Sequence, residues 1–138
     1  MWHRRAFLGV LGAVLVAGCG RKFNTTPPPT VYPVKGKVLL AGGEPVSGGI
    51  ITFHPKNRLG HEASGEIGRD GSFQLTTIVK DDGALPGSYT VSVNPYFKDG
   101  RVTTVPASPV PPKFGEPETS GLTVEVEEQD NYLKIELK

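Results

Sequence analysis

Cysteine, methionine and tryptophan occur once each in 138 residues. A lone cysteine excludes an intramolecular disulfide and any multi-cysteine zinc site. An excess of one charge is missing too: 15 Lys and Arg stand against 14 Asp and Glu, a formal net charge of +1. A nucleic-acid-binding module needs a basic excess, so no nucleic-acid partner is expected. Wholesale disorder needs lower hydrophobicity and a larger charge imbalance than 37% hydrophobic residues and +1 provide. No stretch carries the 3.6-residue apolar period of an amphipathic helix, which disfavours helical bundles and nucleotide-binding α/β folds. What is abundant is turn chemistry. Eighteen glycines and 13 prolines put that pair well above its usual share of roughly 12%. The length suits one domain.

The first nineteen residues read as an address. Arg4 and Arg5 precede an uncharged, apolar or small run over residues 6–18. Thirteen residues are too few for a transmembrane helix, which needs about 20, but suit the apolar part of a secretory signal. The run ends Val16-Ala17-Gly18-Cys19, which resembles the lipobox of bacterial lipoproteins. That resemblance implies a diacylglycerol on the Cys19 thiol and cleavage before Cys19, leaving a mature chain of 120 residues. More than one acyl chain, at about 0.8 kcal/mol per buried CH₂, makes a firm anchor where a single chain is marginal. Arg4-Arg5-Ala6-Phe7-Leu8 also resembles the twin-arginine export signal, whose core is R-R-x-F-L; the general secretory route is the alternative. The expected location is the bacterial cell envelope, facing periplasm or exterior, with Gly20 after the cysteine favouring the outer membrane. The chain thus divides into a signal peptide at 1–18, a lipidated cysteine and tether at 19–31, and a domain at 32–138. Pro27-Pro28-Pro29 stiffens the tether toward polyproline II, a spacer of roughly 30 Å.

From Tyr32 the apolar period is two. Val34, Gly36 and Val38 alternate with Lys35 and Lys37; Ile51 and Phe53 with Ile50, Thr52 and His54. Residues 64–67 form a weak short strand. Further strands carry Phe73 and Leu75, then Tyr89, Val91 and Val93, then Leu122, Val124 and Val126, and finally Leu133, Ile135 and Leu137. About seven short strands, each with one apolar face and separated by Gly/Pro/Asp turns, predict a single antiparallel, all-β sandwich or barrel, the sandwich being of immunoglobulin-like or related type. Residues 95–121 are left as a long irregular connection.

Particular motifs sharpen that expectation. Val34-Lys35-Gly36-Lys37-Val38, the turn Gly43-Glu44-Pro45-Val46, the turn and strand Asp70-Gly71-Ser72-Phe73, and Leu85-Pro86-Gly87-Ser88-Tyr89-Thr90-Val91 resemble the carboxypeptidase regulatory-like domain. Its patterns are V-x-G-x-V, G-x-P-V, D-x-G-x-F and L-P-x-G-x-Y-x-V. The resemblance covers residues 32–94 and implies a transthyretin-like sandwich. It brings no catalytic activity, because the peptidases that carry such a domain keep catalysis in a separate zinc domain. The hydroxyisourate hydrolases of transthyretin-like fold end in a Tyr-Arg-Gly-Ser-type tail, whereas this chain ends Lys134-Ile135-Glu136-Leu137-Lys138.

Candidate chemistry is sparse. His54, His61 and Glu62 are a weak candidate metal set for a small metal-dependent enzyme; no cofactor is expected. No Gly-x-Ser-x-Gly frame surrounds any serine, so nucleophilic catalysis has no support. Tyr96, Phe97 and Phe114 are candidate binding aromatics for carbohydrate or cell wall. Lys35 or Lys37 could meet Asn131 in an isopeptide bond with Glu66 or Glu125 as the acid, but the alternation turns both lysines to water. The leading expectation is a non-enzymatic, lipid-anchored module that binds an envelope protein through residues 95–121, since long loops on rigid sandwiches are where binding resides.

Overall fold

The computed structural model describes Gly20 and residues 26–95 and 110–138. Cys19, Val16, Ala17, Gly18, Arg4, Arg5, Tyr96 and Phe97 lie outside the described residues. Among the described residues seven strands form, in chain order: β1 (Val34–Leu40), β2 (Ile50–Pro55), β3 (Ala63–Glu66), β4 (Ser72–Gln74), β5 (Gly87–Asn94), β6 (Leu122–Val126) and β7 (Asn131–Leu137). They make two sheets, ordered β4-β1-β7 and β3-β2-β5-β6. The alternation does what a period of two requires. In β1, Val34, Gly36 and Val38 are buried while Lys35 and Lys37 face water. Between the sheets lie Val34, Val38, Ile51, Phe53, Phe73, Leu75, Tyr89, Val91, Val93, Val126, Ile135 and Leu137, all buried. Phe53 is the hub of this core, its ring centroid 6.2 Å from that of Phe73 and 5.8 Å from that of Tyr89, both tilted.

Direction departs from expectation in one pair. β1–β4, β2–β3, β2–β5 and β5–β6 are antiparallel, but β1 and β7 run parallel over Val34↔Asn131 to Leu40↔Leu137. The cause is the β6–β7 connection. It crosses from the four-stranded to the three-stranded sheet at the end where β1 begins, so β7 sets out beside β1 in the same sense. Gly36 sits in the tightest part of this pairing. A side chain there would run into the Leu133 carbonyl and the Phe73 ring, which is why the strand interior carries glycine.

The sandwich has two poles. At the entry pole Tyr32 pairs with Ala84 by two backbone hydrogen bonds, of 2.9 and 3.0 Å. The β2–β3, β4–β5 and β6–β7 connections lie at this pole. Gly83 takes φ +101°, with the Tyr32 carbonyl where a Cβ would be, so the incoming chain lies hard against the β4–β5 loop. The opposite pole carries the β1–β2, β3–β4 and β5–β6 connections. There a 3-10 turn (Pro112–Gly115) and a one-turn helix, α1 (Pro117–Ser120), occupy part of the segment expected to be irregular. Each begins with proline, whose fixed φ suits a first turn. Asn94 donates to the Gly115 carbonyl at 3.1 Å and ties this turn to the end of β5.

Candidate functional site

The outer face of the four-stranded sheet brings three polar side chains together. His54 on β2 and Ser92 on β5 point outward from neighbouring antiparallel strands, one register step apart, since Thr52 pairs with Ser92 and His54 with Thr90. Glu62 stands just before β3. His54 Nδ1 lies 2.9 Å from Glu62 Oε1, and Nε2 lies 2.8 Å from Ser92 Oγ. With a neutral ring and Nδ1–H donating to the carboxylate, Nε2 accepts the Ser92 hydroxyl proton. Acid, imidazole and hydroxyl stand in the order used by serine hydrolases. Ser92, however, is 2% exposed. An electrophilic carbon has no approach to a hydroxyl so enclosed, so the relay as it stands ties β2, β3 and β5 together and satisfies a buried hydroxyl.

The sequence pointed to His54 and Glu62 but as metal ligands, together with His61. Both ring nitrogens of His54 are engaged by Glu62 and Ser92. Among the described residues no group of three or more His, Cys, Asp or Glu is placed to hold a metal ion. Ser92 carried no signal in the sequence: it lies in an ordinary Thr-Val-Ser-Val alternation, and only the strand register puts it beside His54.

Phe114, a candidate binding aromatic, is instead a core residue, buried and with the Lys113 ammonium 4.8 Å from its ring centroid. It closes the sandwich beside β5 and offers no flat face to a sugar. Lys35 and Lys37 face water. Asn131 is bound into the β6–β7 turn: its side-chain oxygen accepts from the Glu127 N–H at 2.9 Å, and its amide donates to the Gln129 carbonyl at 2.7 Å. The side chains of a Lys–Asn isopeptide bond are therefore kept apart.

The β4–β5 loop is held by its own side chains. Asp82 Oδ1 accepts the Thr77 N–H at 2.7 Å, and Oδ2 accepts those of Ile78 and Val79 at 2.9 and 2.8 Å. Burial pushes the Asp82 carboxyl up, but the backbone donors outweigh it and hold the group below its ordinary value. Asp81, in the left-handed region at φ 61°, donates its N–H to Thr76 Oγ1 at 2.8 Å. The Thr77 hydroxyl donates to the Gly83 carbonyl at 2.7 Å. Next along the chain, the Tyr89 hydroxyl donates to the Leu85 carbonyl at 2.8 Å, and burial raises its pKa.

No protein-family model, no curated protein and no solved structure matches the chain.

Proposed function

We propose that the chain is a lipid-anchored, non-enzymatic envelope protein whose transthyretin-like, carboxypeptidase regulatory-like sandwich is a protein-binding module with its binding surface at the pole that faces away from the membrane. The anchor is Cys19, behind Val16-Ala17-Gly18 and the basic Arg4-Arg5 start. The observation that carries the reading is polarity. The tether joins the sandwich at the pole defined by the Tyr32–Ala84 pairing. The longest connection, from Asn94 to Leu122, leaves and rejoins the sheet at the opposite pole. A chain anchored at Cys19 would thus hold that connection toward the envelope space, where a protein partner would meet it.

In-cell cross-linking of the anchored protein followed by mass spectrometry tests this. Cross-links to an envelope protein should vanish on deletion of residues 102–109, with the thermal transition nearly unchanged; Val110 is retained because it is buried. Cross-links that survive the deletion refute the assignment to this connection. Acyl labelling that persists in Cys19→Ala refutes the anchor.

The order of groups in the Glu62–His54–Ser92 relay suggests one second reading, acyl transfer with Ser92 as nucleophile, which requires the strands to open and expose the enclosed Ser92 hydroxyl. A fluorophosphonate that labels Ser92, and fails to label it in His54→Ala, would establish that reading. No labelling in the folded protein leaves the relay its cross-strand role.

A further inference from the structure

All four exposed large hydrophobic residues among those described sit at the entry pole. Leu59 in the β2–β3 loop is 89% exposed, Ile78 and Val79 in the β4–β5 loop are 57% and 65% exposed, and Tyr132 at the start of β7 is 72% exposed. Among the described residues the opposite pole shows none. Scattered apolar residues on a surface need no explanation, but these are gathered where the chain enters.

The loop bearing Ile78 and Val79 is also built to hold them out. Asp82 draws the backbone N–H groups of both residues inward, which leaves their side chains facing water. The bonds from Asp81 to Thr76 and from Thr77 to Gly83 stiffen the loop on either side. The backbone of neither residue therefore has to be ordered on contact with a partner, which removes that part of the entropic cost of docking. Basic side chains flank the apolar tips: Lys56 and Arg58 beside Leu59, and Lys80 after Val79, all exposed.

From this geometry we infer that the entry pole rests on the bilayer, with Leu59, Ile78 and Val79 reaching into the headgroup region and Lys56, Arg58 and Lys80 meeting lipid phosphates. The inference rests on the anchor at Cys19 proposed above. Twelve residues separate Cys19 from Tyr32, and the Tyr32–Ala84 pairing places the end of that tether against the β4–β5 loop. The pole held nearest the acyl chains is thus the one that carries the apolar tips. An aliphatic tip beside a cationic head is the arrangement that partitions into a membrane interface.

Sheet order also gives the tilt. The β2–β3 and β4–β5 loops lie toward the β3 and β4 edges, whereas the acidic β6–β7 turn, with exposed Glu127, Glu128 and Asp130, lies toward the β6 and β7 edges. On the first side Lys56, Arg58 and Lys80 offset Glu62, Asp81 and Asp82, whereas the charged residues of the β6–β7 turn are all acidic, so an anionic surface repels the second side more strongly than the first. The domain leans on its β3/β4 side, and the turn stands off the membrane.

The test uses full-length protein reconstituted into vesicles of phosphatidylethanolamine and phosphatidylglycerol. An environment-sensitive fluorophore is placed on a cysteine introduced as Ile78→Cys, Leu59→Cys or, at the opposite pole, Glu44→Cys. Fluorophore at 78 and 59 should shift to the blue with lipid and be quenched by spin-labelled lipid, and fluorophore at 44 should do neither. Equal, water-like emission at 78, 59 and 44 overturns the docking. A blue shift without lipid that grows with protein concentration assigns the loops to a second copy of the chain and overturns it as well. Protein without an added cysteine reports separately on the anchor, because a lipidated Cys19 thiol takes no dye. If Cys19 does take dye, the anchor reading fails. The same three positions are then compared in a Cys19→Ser background, where a lipid-dependent shift confined to 78 and 59 supports docking and its absence refutes it.

Discussion

Phe53→Ala is the sharpest probe of the core. Phe53 is fully buried and contacts two rings, with centroids 6.2 Å away at Phe73 and 5.8 Å away at Tyr89. Removing a core phenylalanine side chain costs about 3–5 kcal/mol, the lost transfer energy plus the cavity left behind. Two tilted aromatic contacts, each worth roughly 0.5–1.5 kcal/mol beyond area burial, place Phe53 at the upper end of that range. Phe73→Ala breaks one such contact and opens a site at the sandwich margin, so it belongs at the lower end. A domain of this size has a total stability of about 5–15 kcal/mol. Losing about 4 kcal/mol should therefore lower the thermal midpoint by roughly 15–30 °C. Urea titration followed by far-UV circular dichroism measures both variants. The double variant should lose less than the two single losses combined, because the second truncation removes a contact already broken. A Phe53→Ala loss below about 1 kcal/mol, or a Phe73→Ala loss larger than that of Phe53→Ala, refutes the assignment of Phe53 as the hub between the sheets.

Two further outcomes test the turns and the strand pairing. Asp82→Asn should cost about 1.5–3 kcal/mol near neutral pH, since it removes the charge that accepts three backbone N–H groups. Because the folded carboxyl lies below its unfolded value of 3.8, its stabilisation is complete above that value and is lost as pH falls through the lower, folded one. The gap between wild type and variant in urea should therefore close toward pH 2; a gap of constant size from pH 7 to pH 2 would show that the charge is not responsible. Gly36→Ala should destabilise the protein by at least about 2 kcal/mol, because the added methyl meets the Leu133 carbonyl, a backbone atom that cannot turn aside as a side chain would. A thermal midpoint at the wild-type value would mean that β1 and β7 are not so closely apposed.

What the sequence disclosed follows from what is local in it. A period of two is written into consecutive residues, so Val34 to Val38, Ile51 and Phe53, and Tyr89 to Val93 announce their strands and their buried faces without a partner. Strand direction is not local. The same Leu133-Ile135-Leu137 alternation would serve an antiparallel β7, and only the crossing of residues 127–130 between the sheets makes it parallel to β1. The His54–Ser92 contact depends on register across β2 and β5, so spacing along the chain could pair His54 with Glu62 but never reach Ser92. Phe114 misled for a related reason: an aromatic residue in a proline-rich connection reads as exposed until the connection folds back on the end of β5. The β4–β5 loop shows the deepest limit. Ile78 and Val79 could as well be strand residues by type, and what turns them outward is a carboxylate three and four positions away accepting their own N–H groups. Hydrophobicity thus marked where this chain buries itself, while the polar contacts of Asp82 determine where it leaves apolar surface uncovered, and that surface gathers at the pole to which the tether leads.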